Sequence, residues 1–220
     1  HRKALEIQVK LRDSVGAARS YNNMGYIFRR RRDTRHALEV YSNVEKLLES
    51  EHHPELCQAR IRMAAAYLEM GELDRAREHA LRAFEETEEG DSDISHARAM
   101  AVLGRYYARV KENELAMQYY SKALEILSDQ TDPHSAVEVS MLLGQVLNDA
   151  DRKEEASEQY IDALVLAEAN DFRMLQGEIL ARLGEVESDR SQKMDYLQRS
   201  LSVFRELGAV DRMREVQNSV

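Results

Sequence analysis

The chain has few residues that interrupt helices, and it has a single cysteine. Its 220 residues include two prolines and nine glycines, whereas good helix formers such as alanine, leucine, glutamate and arginine are abundant. The lone Cys57 excludes an intramolecular disulfide and fits a reducing compartment. No stretch approaches the roughly 20 apolar residues that span a membrane, and no secretory signal precedes the first helix pattern. The sequence therefore predicts a helical protein of the cytoplasm that does not enter a membrane.

Positive charge is in short supply in one half of the chain. Residues 1–110 contain 19 Lys and Arg against 18 Asp and Glu, whereas residues 111–220 contain 12 against 22. Because nucleic-acid binders are basic overall, this balance argues against nucleic acid as a partner. The one basic run, residues 29–32, is better explained by a helix end, where cations face the negative end of the dipole. A chain whose charge differs between its two halves suits a partner whose charge is distributed in the complementary way.

Residues that carry catalysis or bind metals do not occur in a recognisable arrangement. The seven histidines show no ligand spacing on one helix, and no phosphate-binding loop, nucleophile elbow or dinucleotide fingerprint occurs. The acidic residues between positions 85 and 91 fit a solvated helix end and linker better than a catalytic pair. We therefore expect a protein that is not an enzyme and that needs no cofactor or metal ion.

The feature that the sequence does contain is a repeat of about 40 residues. A small residue follows Met or Leu at five positions, separated by 39, 40, 40 and 40 residues: Gly25, Ala64, Gly104, Gly144 and Gly184. Twelve residues after the first four comes an alanine, and four residues further on come Tyr41, Ala80, Tyr120 and Tyr160. These spacings place the repeated residues on one face of each of two consecutive helices, where the small residue admits a close neighbour. Self-similarity at a fixed period predicts one helical unit copied several times.

The pattern resembles the tetratricopeptide repeat (TPR), and the segment Tyr21–Gly25 is the best local match. The resemblance covers nearly the whole chain, and it implies an all-α, right-handed α-solenoid of TPR-like antiparallel helix pairs. The usual repeat has about 34 residues, so the longer period here is similar to the arrays of signalling scaffolds, kinesin light chains and bacterial regulators.

The period divides the chain into repeat units with predictable turns. We expect a half repeat at residues 1–13, full repeats at 14–52, 53–91, 92–131, 132–170 and 171–208, and a capping helix or a further repeat start at 209–220. Pro54 and Pro133 fit the first turn of a helix, and N-caps are predicted at Asp93, Asp132 and Asp171. In the divergent fifth repeat, a turn shortened by three residues aligns Ser200 with Ala123.

The chain begins in the middle of a predicted unit. Residues 2–7 match residues 121–126 of a second repeat helix, whose first helix would precede them. We therefore expect the chain to be a piece of a longer protein. An orphan helix that carries Leu5, Val9 and Leu11 would expose apolar surface, through which two copies could form a homodimer.

The resemblance also predicts where a partner binds, because the first helices of TPR pairs line the concave face of the array. The residues that this phasing places there are Arg19, Asn22, Tyr26, Arg29, Gln58, Arg62, Arg98, Arg105, Arg109, Gln145 and Asn148. The arginines suit a carboxylate or phosphate, and the amides suit the backbone of an extended peptide. The usual chaperone-tail pattern of Lys and Asn four residues apart is replaced by Asn22 and Tyr26, which argues against that class of ligand.

Two functions follow from the resemblance, and the sequence leaves both open. The first is a scaffold that binds a peptide or protein segment in the concave groove. The second is a ligand- or peptide-sensing regulatory domain of a larger, bacterial-type signalling or transcription regulator.

Overall fold

The computed structural model of the protein describes residue 8 and residues 13–48, 53–88, 93–128 and 132–218. Eleven α-helices account for the regular structure in these ranges. The fold is therefore the all-α solenoid of helix pairs that the repeat predicts. Most of the predicted half repeat, with Leu5, Val9 and Leu11, lies outside the described residues. The chain divides into two compact units, residues 1–110 and residues 111–220.

The first unit contains five helices in its described part. They are α1 (Ser14–Arg30), α2 (Thr34–Leu48), α3 (Pro54–Met70), α4 (Leu73–Glu88) and α5 (Asp93–Arg109). Helix α1 packs against α2, and α3 packs against α4, as successive pairs. Helix α3 also packs against α1 and against α5. The first helices of the predicted repeats therefore lie side by side.

The second unit contains six helices in its described part. They are α6 (Asn113–Ser128), α7 (Pro133–Asp149), α8 (Lys153–Ala169), α9 (Arg173–Val186), α10 (Arg190–Glu206) and α11 (Val210–Gln217). Each helix packs against the next one along the chain. The short helix α11 covers Leu197 and Phe204 of α10 with Val216, so the last residues of the described chain add to the core.

Three of the repeated glycines, Gly25, Gly144 and Gly184, make room for a large side chain on the helix that follows. A Cβ atom at Gly144 would lie 2.6 Å from Cε1 of Tyr160, and one at Gly25 would collide with the ring of Tyr41. Both tyrosines are buried, and Tyr41 belongs to a cluster with apolar residues of α1, α2 and α3. Burial of a large side chain contributes about 1.5–3 kcal/mol, which outweighs the cost of about 1 kcal/mol for glycine in a helix.

A residue with positive φ recurs in the turn that follows each of the helices α1, α3, α5 and α7. Seven residues after the small residue, the backbone is left-handed at Arg32, Gly71, Lys111 and Asp151, with φ of 60°, 78°, 66° and 59°. This conformation ends a helix and reverses the chain. Because three of the four residues are not glycine, the sequence alone signals the left-handed turn only at Gly71.

The fifth pair departs from this turn, as the sequence predicts. The backbone at Glu187, after α9, is extended, and Asp189 caps α10 by accepting hydrogen bonds from the N–H groups of Ser191 and Gln192, both at 2.9 Å. Thirteen residues after Gly184, Leu197 takes the place of the tyrosine, with Cδ2 at 2.7 Å from a Cβ built on Gly184. The turn is therefore shorter by three residues than the sixteen-residue spacing of Gly144 and Tyr160.

The predicted helix starts are correct in part. Pro54 and Pro133 lie in the first turn of α3 and α7, and the Asp132 carboxylate accepts a hydrogen bond from the N–H of Ser135 at 3.3 Å. The prediction for Asp171 is wrong, because this residue is left-handed and Phe172 is the N-cap of α9. Helix α5 begins at Asp93 itself, so this residue is helical. His53 caps α3 through Nδ1, which accepts from the N–H of Glu55 at 3.1 Å, although histidine is not among the residues preferred at an N-cap.

Candidate functional site

The predicted binding residues of the first unit lie on α1, α3 and α5, the three first helices that pack side by side. We call their solvent side the A-helix face. Arg19, Tyr26 and Arg109 are exposed on it, whereas Gln58, Arg62, Arg98 and Arg105 are half-buried. Gln145 and Asn148 lie on α7 of the second unit and are half-buried there, with Gln145 donating a hydrogen bond to Asp149 at 2.8 Å.

Asn22 differs from the other predicted residues because it is fully buried. Its Nδ2 donates to the backbone oxygen and to Oε2 of Glu55, each at 2.8 Å. Arg19 Nε donates to the other carboxylate oxygen of Glu55 at 3.0 Å, and Arg62 donates to the backbone oxygen of Asn22 at 2.9 Å. Asn22 therefore joins α1 to α3, and its amide is committed to the fold.

Arg62 and Tyr26 form the centre of the A-helix face. The Arg62 guanidinium lies over the ring of the half-exposed Tyr26, 5.9 Å from the ring centroid, within the range of a cation–π interaction. Burial lowers the pKa of Arg62, and the nearby cations Arg29 and Arg98 lower it further. The guanidinium stays charged. Arg29, Arg62 and Arg98 therefore bring positive charge from α1, α3 and α5 together in a partly buried setting.

Arg29 is tied into the fold by an ion pair. Its guanidinium contacts the carboxylate of Glu69 on α3, and its Nε is buried without a hydrogen-bond partner among the described residues. Of the basic run, Arg30, Arg31 and Arg32 are exposed at the end of α1 and in the turn after it. The run therefore marks a helix end, as the sequence indicates.

The phenols of Tyr41 and Tyr160 are close enough to an arginine of the next first helix to be affected by its charge. Burial raises the pKa of Tyr41, while Arg62 and Arg29 lower it in part. Burial likewise raises the pKa of Tyr160 to about 12, with Arg182 of α9 opposing the shift. Arg62 and Arg182 both lie two residues before the small residue of their repeats. The tyrosines are therefore neutral packing residues near pH 7.

A buried charge network that the sequence analysis missed connects α2, α3 and α4. Arg60 donates through Nε to Oε1 of Glu45 at 3.1 Å, and it also forms an ion pair with Glu86. His79 lies with Nδ1 at 3.6 Å from Glu45, and its ring stacks on Tyr67. Burial lowers the pKa of His79 more than Glu45 raises it, so the ring is neutral at pH 7. These residues are far apart in sequence, and only the helix packing brings them together.

No group of three or more His, Cys, Asp or Glu in the described ranges of the chain is arranged to hold a metal ion. Within the same ranges, each helix is too short or too polar to cross a lipid bilayer.

Comparison with known proteins supports the resemblance over part of the chain. Residues 55–129 match the family model described as tetratricopeptide repeat, and no curated protein matches the chain. A STAND signal-transduction ATPase with a tetratricopeptide repeat sensor from Pyrococcus horikoshii is similar, with a TM-score of 0.80 and 17% identity over 99% of this chain and 34% of that one. This chain thus spans about a third of that protein's length.

Two further solved structures cover most of the chain. Aspartyl phosphate phosphatase F from Bacillus subtilis has a TM-score of 0.72 and 17% identity, over 97% of this chain and 57% of that one. The pilF protein of Pseudomonas aeruginosa has a TM-score of 0.66 and 19% identity, over 94% and 90%. At such identities the likeness establishes the fold.

Proposed function

Since residues 55–129 are tetratricopeptide repeats and the whole chain shares the fold of such proteins, we propose that the first unit is a non-enzymatic module of the cytoplasm that binds an acidic segment of a partner protein. The segment lies along the A-helix face, across α1, α3 and α5. The observation that carries the proposal is the Arg62 guanidinium over the half-exposed Tyr26, with Arg29 and Arg98 close by.

The charge of the three helices selects an acidic ligand. Helices α1, α3 and α5 contain three, two and three arginines, whereas their acidic residues are Glu55, Glu69 and Asp93. Arg60 of α3 is buried and paired with Glu45 and Glu86, so the other seven arginines remain to face a ligand. Glu55 and Glu69 already form ion pairs with Arg19 and Arg29. A surface with this surplus attracts carboxylates from a distance and favours bidentate pairing with arginine on contact.

The packing of the A-helix face lowers the entropic cost of binding a ligand. Arg62 is held by its hydrogen bond to the backbone of Asn22, and Tyr26 offers a rigid ring beside it. Groups that are fixed before the ligand arrives lose little conformational entropy on binding. Arg105 and Arg109 extend the positive surface along α5.

Charge reversal on α5 tests the proposal. Fluorescein-labelled acidic peptides and basic peptides of matched length are titrated with the protein, and fluorescence anisotropy reports binding. We expect the acidic peptides to bind and the triple variant Arg98→Glu, Arg105→Glu, Arg109→Glu to lose at least about tenfold in affinity, since each charge contributes a few tenths to 1 kcal/mol. Pull-down of partners with wild type and variant, analysed by mass spectrometry, then identifies the natural segment.

A matched control places the same charge change on the second helices. Arg35, Arg77 and Arg82 are exposed on α2 and α4, and their reversal to Glu changes the net charge equally. If this control weakens binding as much as the α5 variant does, with helicity unchanged in both, the A-helix face is not the site.

A second candidate is the sensing domain of a larger regulator, in which a bound peptide controls an attached output domain. It is favoured by the similarity over 99% of this chain to a STAND protein whose tetratricopeptide repeats are described as a sensor. Hydrogen exchange tests it: a sensor should show altered protection in α6–α11 when an acidic peptide binds to the first unit. Protection that changes only in α1, α3 and α5 would contradict the sensing function.

A further inference from the structure

A cavity of about 310 Å³ lies in the second unit, between α9, α10 and α11. Its volume is at the lower end of the range for small-molecule pockets. Its apolar lining consists of Met141 from α7, Ala181 from α9, Leu197 and Phe204 from α10, and Val216 from α11. Leu197 and Phe204 are each 1% exposed, so the floor of the cavity is the core itself.

The rim of the cavity is charged. Arg212 of α11 donates to Glu178 of α9 at 2.6 Å and to Glu215 at 2.7 Å. On the same side, Arg182 donates to Glu185 at 2.8 Å. Three carboxylates therefore face two guanidiniums, which leaves one unit of negative charge at the mouth of an apolar cavity.

Helix α11 closes one side of the cavity. It follows a left-handed turn at Gly208, with φ of 66°, and it packs on α10 through Val216 and Met213. Arg212 links it to α9 through Glu178; the side chain of Arg212 is 47% exposed and that of Glu178 is 25% exposed. An ion pair at the surface contributes little stability, so a ligand cation can compete with Arg212 for Glu178 at small cost.

We propose that this cavity binds a small organic cation, an ammonium group carried on an apolar body. The apolar body fills the space above Leu197 and Phe204, and the ammonium group binds Glu178 and Glu185 at the rim. The surplus carboxylate selects a cation over an anion of the same shape. The site belongs to the second unit and depends neither on the A-helix face nor on its acidic partner.

Tryptamine is a suitable probe, because the protein contains no tryptophan and indole fluorescence therefore reports the ligand alone. Its anisotropy is measured as the protein is added, with indole-3-propionate as the anionic counterpart. We expect tryptamine to bind at least about tenfold more tightly, since a charge-assisted contact contributes 1.4 kcal/mol or more. Equal affinity for the two probes, or no binding of tryptamine, would overturn the proposal.

Three variants locate the site. The double variant Glu178→Gln, Glu185→Gln should weaken tryptamine binding about tenfold, and Ala181→Met should also weaken it by occupying part of the cavity. Glu158→Gln, an exposed change on α8, is the control and should leave binding unchanged. Circular dichroism checks that each variant is folded. Tryptamine binding that survives both site variants would place the ligand elsewhere and refute the assignment.

A lysine side chain of a peptide also presents an ammonium group on an apolar chain. A competition titration distinguishes such a peptide from a small organic cation. Acetyl-Leu-Lys-Leu-amide is added as a competitor against bound tryptamine. We expect weak competition, because the backbone of a peptide does not fit a cavity of this volume. Half-displacement of tryptamine by the peptide at a concentration below the one at which tryptamine itself half-saturates the protein would overturn the small-molecule assignment.

Discussion

The ring of Tyr160 occupies the space that a side chain at residue 144 would need, with Cε1 2.6 Å from a Cβ built on Gly144. The two residues lie on α7 and α8, sixteen positions apart. We expect Gly144→Ala to lower the free energy of unfolding by about 1–3 kcal/mol, the usual effect of overpacking a core. Urea denaturation followed by circular dichroism measures the change.

A double-mutant cycle separates this clash from the helix propensity of alanine. In a Tyr160→Ala background the extra methyl group has space, so Gly144→Ala should be neutral or stabilising by up to about 1 kcal/mol. The same loss in both backgrounds would show that the contact with Tyr160 is not the cause.

Asn22 should act on stability more than on binding. Its amide bonds the carboxylate and backbone of Glu55 in a buried position. Replacement by alanine removes bonds to a charged group, so we expect Asn22→Ala to destabilise the protein by about 1.5–3 kcal/mol. Thermal or urea denaturation checks this value. The folded fraction of the variant should still bind acidic peptides, and a stable variant that no longer binds them would contradict this role.

The left-handed turns offer sites for stabilisation. Arg32 has φ of 60°, which glycine adopts without strain, so Arg32→Gly should raise the free energy of unfolding by about 1 kcal/mol. Asp151→Gly should raise the free energy of unfolding by less, because aspartate tolerates the left-handed conformation better than arginine does. Conversely, Gly71→Ala should cost about 1 kcal/mol. Urea midpoints for the three variants test the order, and a loss of stability in Arg32→Gly would refute it.

His79 should make stability fall in mild acid. Its pKa in the folded protein lies below its ordinary value of 6.5, chiefly because of burial. The unfolded chain therefore takes up the proton first, and the stability from neutral His79 is complete above about pH 6.5 and is lost as the pH falls from 6.5 towards the folded pKa. Glu45, Glu78, Arg60 and Arg82 face the ring and modulate this shift.

The comparison of pH 7.5 with pH 5.5 measures this contribution. His79→Phe keeps an aromatic ring against Tyr67 but cannot be protonated, so its urea midpoint should fall less than that of wild type between these pH values. Equal falls in the two proteins would show that His79 does not carry the dependence.

The sequence predicts the helix pairs of this fold better than it predicts the binding face. The period of the small residues identifies the pairs α1–α2, α3–α4, α7–α8 and α9–α10. The shortened turn before α10 follows from the alignment of Ser200. Position on a helix face could not reveal that Asn22 is buried, because its partner Glu55 lies 33 residues away and meets it only after packing. Similarly, the left-handed turns at Arg32 and Asp151 carry no glycine signal, since their conformation is imposed by the helices on either side.

The fit between the small residue and the large one has a consequence for how such repeats recombine. Gly25 is matched to Tyr41 and Gly184 to Leu197, whereas Ala64 shares its helix pair with the equally small Ala80. A crossover inside a pair would set a tyrosine against a methyl group, or leave a void opposite glycine. We therefore expect recombination between repeats to be tolerated in the connections between helix pairs and not in the turn within a pair. A helix pair should then be exchanged as a whole.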